Sequence, residues 1–204
     1  MKLVVDGIDR IPGSPARTWG ELLARLDDEC AKRGMVVSDV SFDGQPQDAF
    51  RTAAVVTRQI GKLRIEVKTS TQTDLLLTAI DEAIGAAEPM CPVAAQLAAA
   101  FRAHDLARAN QDLAIFAPNL GALVQLAANI TTLATRLNER ASQTTALSVP
   151  AEIGKHVEAL IGAQSTGDWI TVADVLEYDI TSALGACIDG LRAVRAVLSD
   201  RAAA

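Results

Sequence analysis

Apolar and polar positions in the first seventy residues alternate with period two, interrupted once by a helical spacing. Met1, Leu3 and Val5 lead into Asp6-Gly7, the strongest short hairpin signal, and Ile8-Asp9-Arg10-Ile11 returns as a second strand. Pro12-Gly13-Ser14-Pro15 then breaks the chain. Thr18 with Glu21 three residues on reads as a capping box, and Gly34 as the left-handed stop of the same helix. Between them Leu22, Leu26 and Cys30 repeat every four residues beside Trp19 and Leu23, giving one apolar face. Val36 to Phe42 reads as a strand closed by a second Asp-Gly at 43–44. Lys62 to Lys68 alternates strictly: Leu63, Ile65 and Val67 point in, and four charges point out.

Past residue 72 the spacing becomes helical. Thr73 reads as an N-cap, Leu76, Ile80, Ala83 and Ala87 mark a helix ending before Glu88-Pro89, and Pro92 opens another with Leu97 and Phe101 on its inner face. After a break at 102–105, Leu113, Phe116, Leu120, Leu123, Ala127, Ile130, Ala134 and Leu137 step by three and four, a narrow seam of the kind that packs on a partner helix. Pro118 is expected to kink or split this segment. Asn138 to Thr145 reads as a loop. Pro150 then restarts a helix carrying Ile153, Val157, Leu160 and Ile161, which stops at Ser165-Thr166-Gly167. Asp168 caps a last helix whose stripe (Trp169, Val172, Leu176, Ile180, Ala183, Cys187, Leu191, Val194, Leu198) averages 3.6 residues per step, so a straight helix is expected. An offset of 63 residues aligns Leu97 with Leu160, Asp105 with Asp168, Ala109 with Val172 and Leu113 with Leu176. Few positions are identical, so the alignment reads as two helical hairpins obeying the same physics rather than as a duplication.

Composition sharpens the division. Of 37 alanines, 31 follow residue 72, and the net charge of −6 divides into +1 before that point and −7 after it. Alanine favours helix and disfavours strand, which predicts a mixed front part and an all-helical back part. Low pI and only seven aromatics exclude a generic nucleic-acid binder, which needs a basic footprint and stacking rings. No uninterrupted apolar run of membrane-spanning length occurs, so no membrane partner is expected. Met1 to Asp6 turns acidic too soon for a signal peptide. Cys30, Cys91 and Cys187 have no metal or redox spacing and read as small apolar fillers, which points to a reducing, cytoplasmic setting.

The order hairpin, helix, strand, Asp-Gly turn, irregular stretch, strand resembles the β-grasp (ubiquitin-like) fold, carried by element order and by Ser41-Phe42-Asp43-Gly44-Gln45-Pro46. Another small α+β topology fits the same residues. Conjugated members end in Gly-Gly after the last strand, whereas Lys68-Thr69-Ser70-Thr71 runs on here, so the resemblance implies a docking role rather than conjugation. The expected fold class is α+β: a β-grasp-like domain over 1–70 and an all-α antiparallel helical bundle over 73–200.

Chemistry for catalysis is sparse. His104 and His156 are preceded at three residues by Phe101 and Ile153, so the Glu-x-x-His pair of di-iron bundles is absent. No phosphate loop, nucleophile elbow or zinc spacing occurs, so no catalytic, cofactor or metal residue is assigned and no cofactor is expected. The most distinctive stretch is Gly167 to Ile180. At 100° per residue, Asp174 and Tyr178 fall opposite the apolar stripe with Glu177 on their flank, which nominates Asp174, Glu177 and Tyr178 as partner-binding residues. A cap followed by a solvated acidic face explains the same stretch structurally. The run Ala-Asp, then Leu-Glu-Tyr, resembles a motif of uncharacterised bacterial helical-bundle proteins, loosely similar to flagellar and type III export chaperones, which implies no catalytic residue; Asp179 departs from the expected Glu. The expectation is a non-enzymatic adaptor or chaperone-like protein whose acidic bundle binds a basic or amphipathic partner helix. The alternatives are a self-assembling structural protein pairing through the 113–137 seam, and a small-ligand sensor with a pocket between the domains.

Overall fold

The structure, a computed structural model, describes residues 1–10, 16–137 and 149–202. It is mixed α+β and divides into two compact units, Met1–Leu75 and Leu76–Ala204. The breaker at 12–15 and the loop at 138–145 lie outside the described residues.

In the first unit, β1 (Lys2–Val5), β2 (Ile8–Arg10), β3 (Met35–Phe42), β4 (Gln45–Pro46) and β5 (Arg64–Thr71) form one sheet in the order β2-β1-β5-β3-β4. β1 and β5 are parallel; every other neighbouring pair is antiparallel. Both Asp-Gly turns form as the sequence predicts, with φ of 51° and 78° at Asp6-Gly7 and 51° and 81° at Asp43-Gly44, the paired positive values that a tight hairpin twist requires. Each aspartate also anchors its turn to β5. Thr69 donates its N–H and its Oγ1 hydroxyl to the Asp6 carboxylate, each at 2.8 Å, and Arg64 N–H donates to Asp43 Oδ1 at 2.8 Å.

α1 (Trp19–Ala31) starts at Thr18, whose Oγ1 accepts from Glu21 N–H, while Glu21 accepts from Arg17 N–H at 2.9 Å. Its predicted face, Trp19, Leu22, Leu23, Leu26 and Cys30, is buried against Val37, Val40, Phe42, Ile65 and Val67. Trp19 is fully enclosed: its Nε1–H donates to Phe50 O at 2.8 Å and its ring meets Phe42 edge-on at 5.4 Å. Val37 and Val40 are both buried although three residues apart, which strict alternation forbids. A bulge resolves it, because Val37 pairs with Thr69 and Asp39 with Lys68, so Ser38 is the extra residue. A short α2 (Ala53–Val56) lies in the stretch before β5.

The second unit is mostly helical. α3 begins at Gln72, α4 spans Met90–Arg102, α5 Leu106–Leu137, α6 Val149–Thr166 and α7 Trp169–Asp174; a π-helical segment, Val175–Ile180, leads into α8 (Thr181–Ala202). Ala83, Ala87, Ala94, Ala98, Ala109 and Ala134 are completely buried, where small side chains let helix axes approach closely.

Several expectations need correction. The cap of α3 (Gln72–Ala87) is Thr71, not Thr73: Asp74 N–H donates to Thr71 Oγ1 at 3.0 Å, and that hydroxyl donates back to Asp74 Oδ2 at 2.7 Å. α4 opens at Met90, before Pro92. Pro118 does not split α5, because it sits on the exposed side, where the carbonyl it frees can be hydrated. The predicted α5 seam is buried within its own unit, and so is not available for pairing with another copy. Ile161 is 59% exposed instead of packing inward. The last helix keeps its stripe but is not a regular α-helix, being interrupted by the π segment. Although no apolar run is uninterrupted over that length, Gln72–Arg102 and Leu106–Leu137 are each long and apolar enough to cross a membrane by length and composition.

The 63-residue offset reappears in the backbone. His104 N–H donates to Phe101 O and Asp105 N–H to Ala100 O; Gly167 N–H donates to Gln164 O and Asp168 N–H to Ala163 O. The first residue of each pair is left-handed, φ 60° at His104 and 72° at Gly167. Both helices therefore end in the same stop, one built on glycine and one on histidine.

Candidate functional site

The stretch nominated from sequence opens with a well-made cap. Asp168 accepts from Thr171 N–H at 3.1 Å and from Thr171 Oγ1 at 2.7 Å. These bonds, the backbone one foremost, hold its carboxyl below the ordinary range. Behind the cap, Trp169 stacks on Phe101 of α4, with centroids 5.7 Å apart and planes 9° from parallel.

The helix then widens. Val172, Leu176 and Ile180 step by four, and on an α-helix each such step drifts 40° away from the core. Hydrogen bonding across five residues takes up that drift and keeps all three buried, and Thr181 Oγ1 donates to Leu176 O, five residues back, at 3.0 Å. Such widened turns are frequent at functional sites.

Arg102, the last residue of α4 and its only charged one, reaches this widened turn. Its Nη2 donates to Asp174 Oδ1 at 2.8 Å, its Nη1 donates to Glu177 Oε2, and its guanidinium lies 5.8 Å from the Tyr178 ring centroid. The two carboxylates, Asp174 foremost, hold the guanidinium still further above its ordinary range. Tyr178 is 62% exposed, while Asp174 and Glu177 are partly so.

The three nominated residues are thus brought together, around a cation the sequence reading did not include. The other two acids of the stretch are elsewhere: Asp168 is the cap, and Asp179 lies 3.8 Å from His156 Nδ1 on α6. His104 is the left-handed corner already described. Cys30 and Cys187 are buried and Cys91 half-buried; burial raises the pKa of all three thiols, which suits packing and not nucleophilic work. Among the described residues no cluster of His, Cys, Asp or Glu could hold a metal ion. Arg102 had one signal in the sequence: a lone charge closing an otherwise uncharged, alanine-rich helix.

A second surface feature lies between α4 and α5, where Pro89, Met90, Val93, Ile115, Ala122 and Leu126 line an open apolar cavity of about 490 Å³. No family model, curated protein or solved structure matches the chain.

Proposed function

We propose that this chain is a non-enzymatic cytoplasmic adaptor or chaperone-like protein, a β-grasp-like domain joined to a helical bundle that binds a partner protein. In the sheet order β2-β1-β5-β3-β4, the parallel β1–β5 pair and the helix packed on one face support the β-grasp assignment. The observation that carries the function is the exposed Tyr178 held in place by Arg102, with Asp174 and Glu177 fixing the guanidinium.

Tyrosine and arginine dominate recognition surfaces because they combine apolar area with polar edges. Here their side chains are ordered before any partner arrives, which lowers the entropy cost of binding. Arg102 offsets one of the two carboxylates it touches, and Asp179 keeps the neighbourhood acidic, which favours a basic or amphipathic helix. In kind, that is also the role implied by the resemblance to export chaperones.

The test is affinity capture from the native cytoplasm with wild type, Tyr178→Phe and Tyr178→Ala, each checked for unchanged circular dichroism. Wild type and Tyr178→Phe should recover the same stoichiometric protein, and Tyr178→Ala should lose about 10-fold or more. Equal recovery by all three would dispose of the site.

A further inference from the structure

We propose that α5 pairs antiparallel with α5 of a second copy of this chain, through a seam on its outward face. Residues 113–135 contain no charged side chain, about 35 Å of helix in a protein whose net charge is −6. With the inner seam buried in the unit, the outward side still carries large apolar residues: Ile115 is 62% exposed and Leu133 49%, with Val93 of α4, 40% exposed, beside Ile115 in the α4–α5 cavity.

The outward positions repeat every three and four residues, as Asp112, Ile115, Asn119, Ala122, Leu126, Asn129, Leu133 and Arg136. This is a second heptad seam on the same helix. Read against itself in reverse about position 124, it is self-complementary. Asp112 meets the partner's Arg136, and Ile115 meets the partner's Leu133. Further in, Asn119 meets the partner's Asn129, and Ala122 meets the partner's Leu126. Opposite charges, apolar pairs, amides and a small–large pair all fall in register, and two-fold symmetry makes each contact twice. Pro118 lies next to the seam and not in it.

The same features argue against lipid as the occupant. Asn119 Nδ2 donates to Ile115 O and Asn129 Oδ1 accepts from Gln125 Nε2, each at 3.1 Å, so Asn119 Oδ1 and Asn129 Nδ2 are the acceptor and the donor that can meet across the seam, a bond hydrocarbon could not supply. Two acidic copies also meet here with charges only at the ends of the contact, Arg136 at one end and, at the other, Asp112, whose Oδ2 lies 3.6 Å from Arg108 Nε and would be shared with the partner's Arg136. The surface is separate from Tyr178, so either proposal stands without the other.

Sedimentation equilibrium of the full chain over about 1–500 μM is the test, the range suited to a two-helix contact of modest area. Wild type should be a reversible dimer. Leu133→Arg, an exposed change that keeps the native circular dichroism, should be monomeric throughout. Asp112→Arg and Arg136→Asp should each weaken the dimer about 10-fold, since each contact counts twice, and the double exchange should restore it. Mixed Ile115→Cys and Leu133→Cys chains should form a disulfide-linked heterodimer. Any of the following would overturn the proposal: a wild-type monomer at all concentrations, a dimer indifferent to Leu133→Arg, Ile115→Cys linking to itself in place of Leu133→Cys, or a monomer that floats with phosphatidylcholine vesicles.

Discussion

Replacing His104 by glycine should stabilise the helical unit, and replacing Gly167 by alanine should destabilise it. Both residues hold the left-handed position of the same helix stop, 63 residues apart, with φ of 60° and 72°. A side chain in that region costs about 1–2 kcal/mol through contact of Cβ with the backbone. Glycine avoids that cost but has more freedom to lose on folding, about 0.5–1 kcal/mol. The net gain for His104→Gly is therefore about 0.5–1 kcal/mol, with little packing lost because His104 is exposed. At Gly167 an added Cβ would meet no atom within 4 Å, so Gly167→Ala isolates the backbone cost, about 1 kcal/mol in the opposite direction. Urea unfolding followed by far-ultraviolet circular dichroism should show opposite midpoint shifts at constant slope, and His104→Gly should raise the melting temperature by about 2–4 °C. A neutral or destabilised His104→Gly protein, beside a destabilised Gly167→Ala protein, would show that the two corners are not equivalent.

Trp19→Phe should destabilise the first unit by about 2–4 kcal/mol, since it removes volume from a fully enclosed site and leaves Phe50 O without its donor; a midpoint unchanged by equilibrium unfolding would contradict the packing described. Acid should weaken the helical unit through Asp168. Its folded pKa is depressed, so the stability it contributes is present above the ordinary carboxylate value, near pH 4, and is lost as pH falls through the lower folded value. Asp168→Asn should remove part of the slope of melting temperature against pH in that window, and an unaltered slope would refute the assignment.

Much of the fold is legible in the residues because local and tertiary preferences agree. The Asp-Gly turns are visible since few residues other than Gly, Asn and Asp adopt two successive positive φ values, and the α1 and α5 stripes are visible since burial on one face imposes the period. What the residues conceal depends on the partner across the space. The β3 bulge shows only as a spacing of three between Val37 and Val40, and the π turn only as consecutive steps of four at Val172, Leu176 and Ile180, a spacing that α-helices also tolerate. Thr71 does not stand out as a cap because the strand runs directly into the helix without a loop to mark the change. Asp174, Glu177 and Tyr178 could be placed together from helical geometry. That Arg102 meets them could not be read, because it is 72 residues from Asp174 and no local rule links the two. The outer α5 seam escaped for a different reason: Asn and Ala positions do not register as apolar until the inner seam is known to be buried.

The central claim, that Tyr178 and its Arg102 clamp form a surface for another protein, is tested most directly by site-specific photocrosslinking in the native cell. A benzophenone side chain at position 178 should give one discrete protein adduct, while the same group at position 161, also exposed but on α6, should give none. No adduct from position 178, or the same adducts from both positions, would contradict the account.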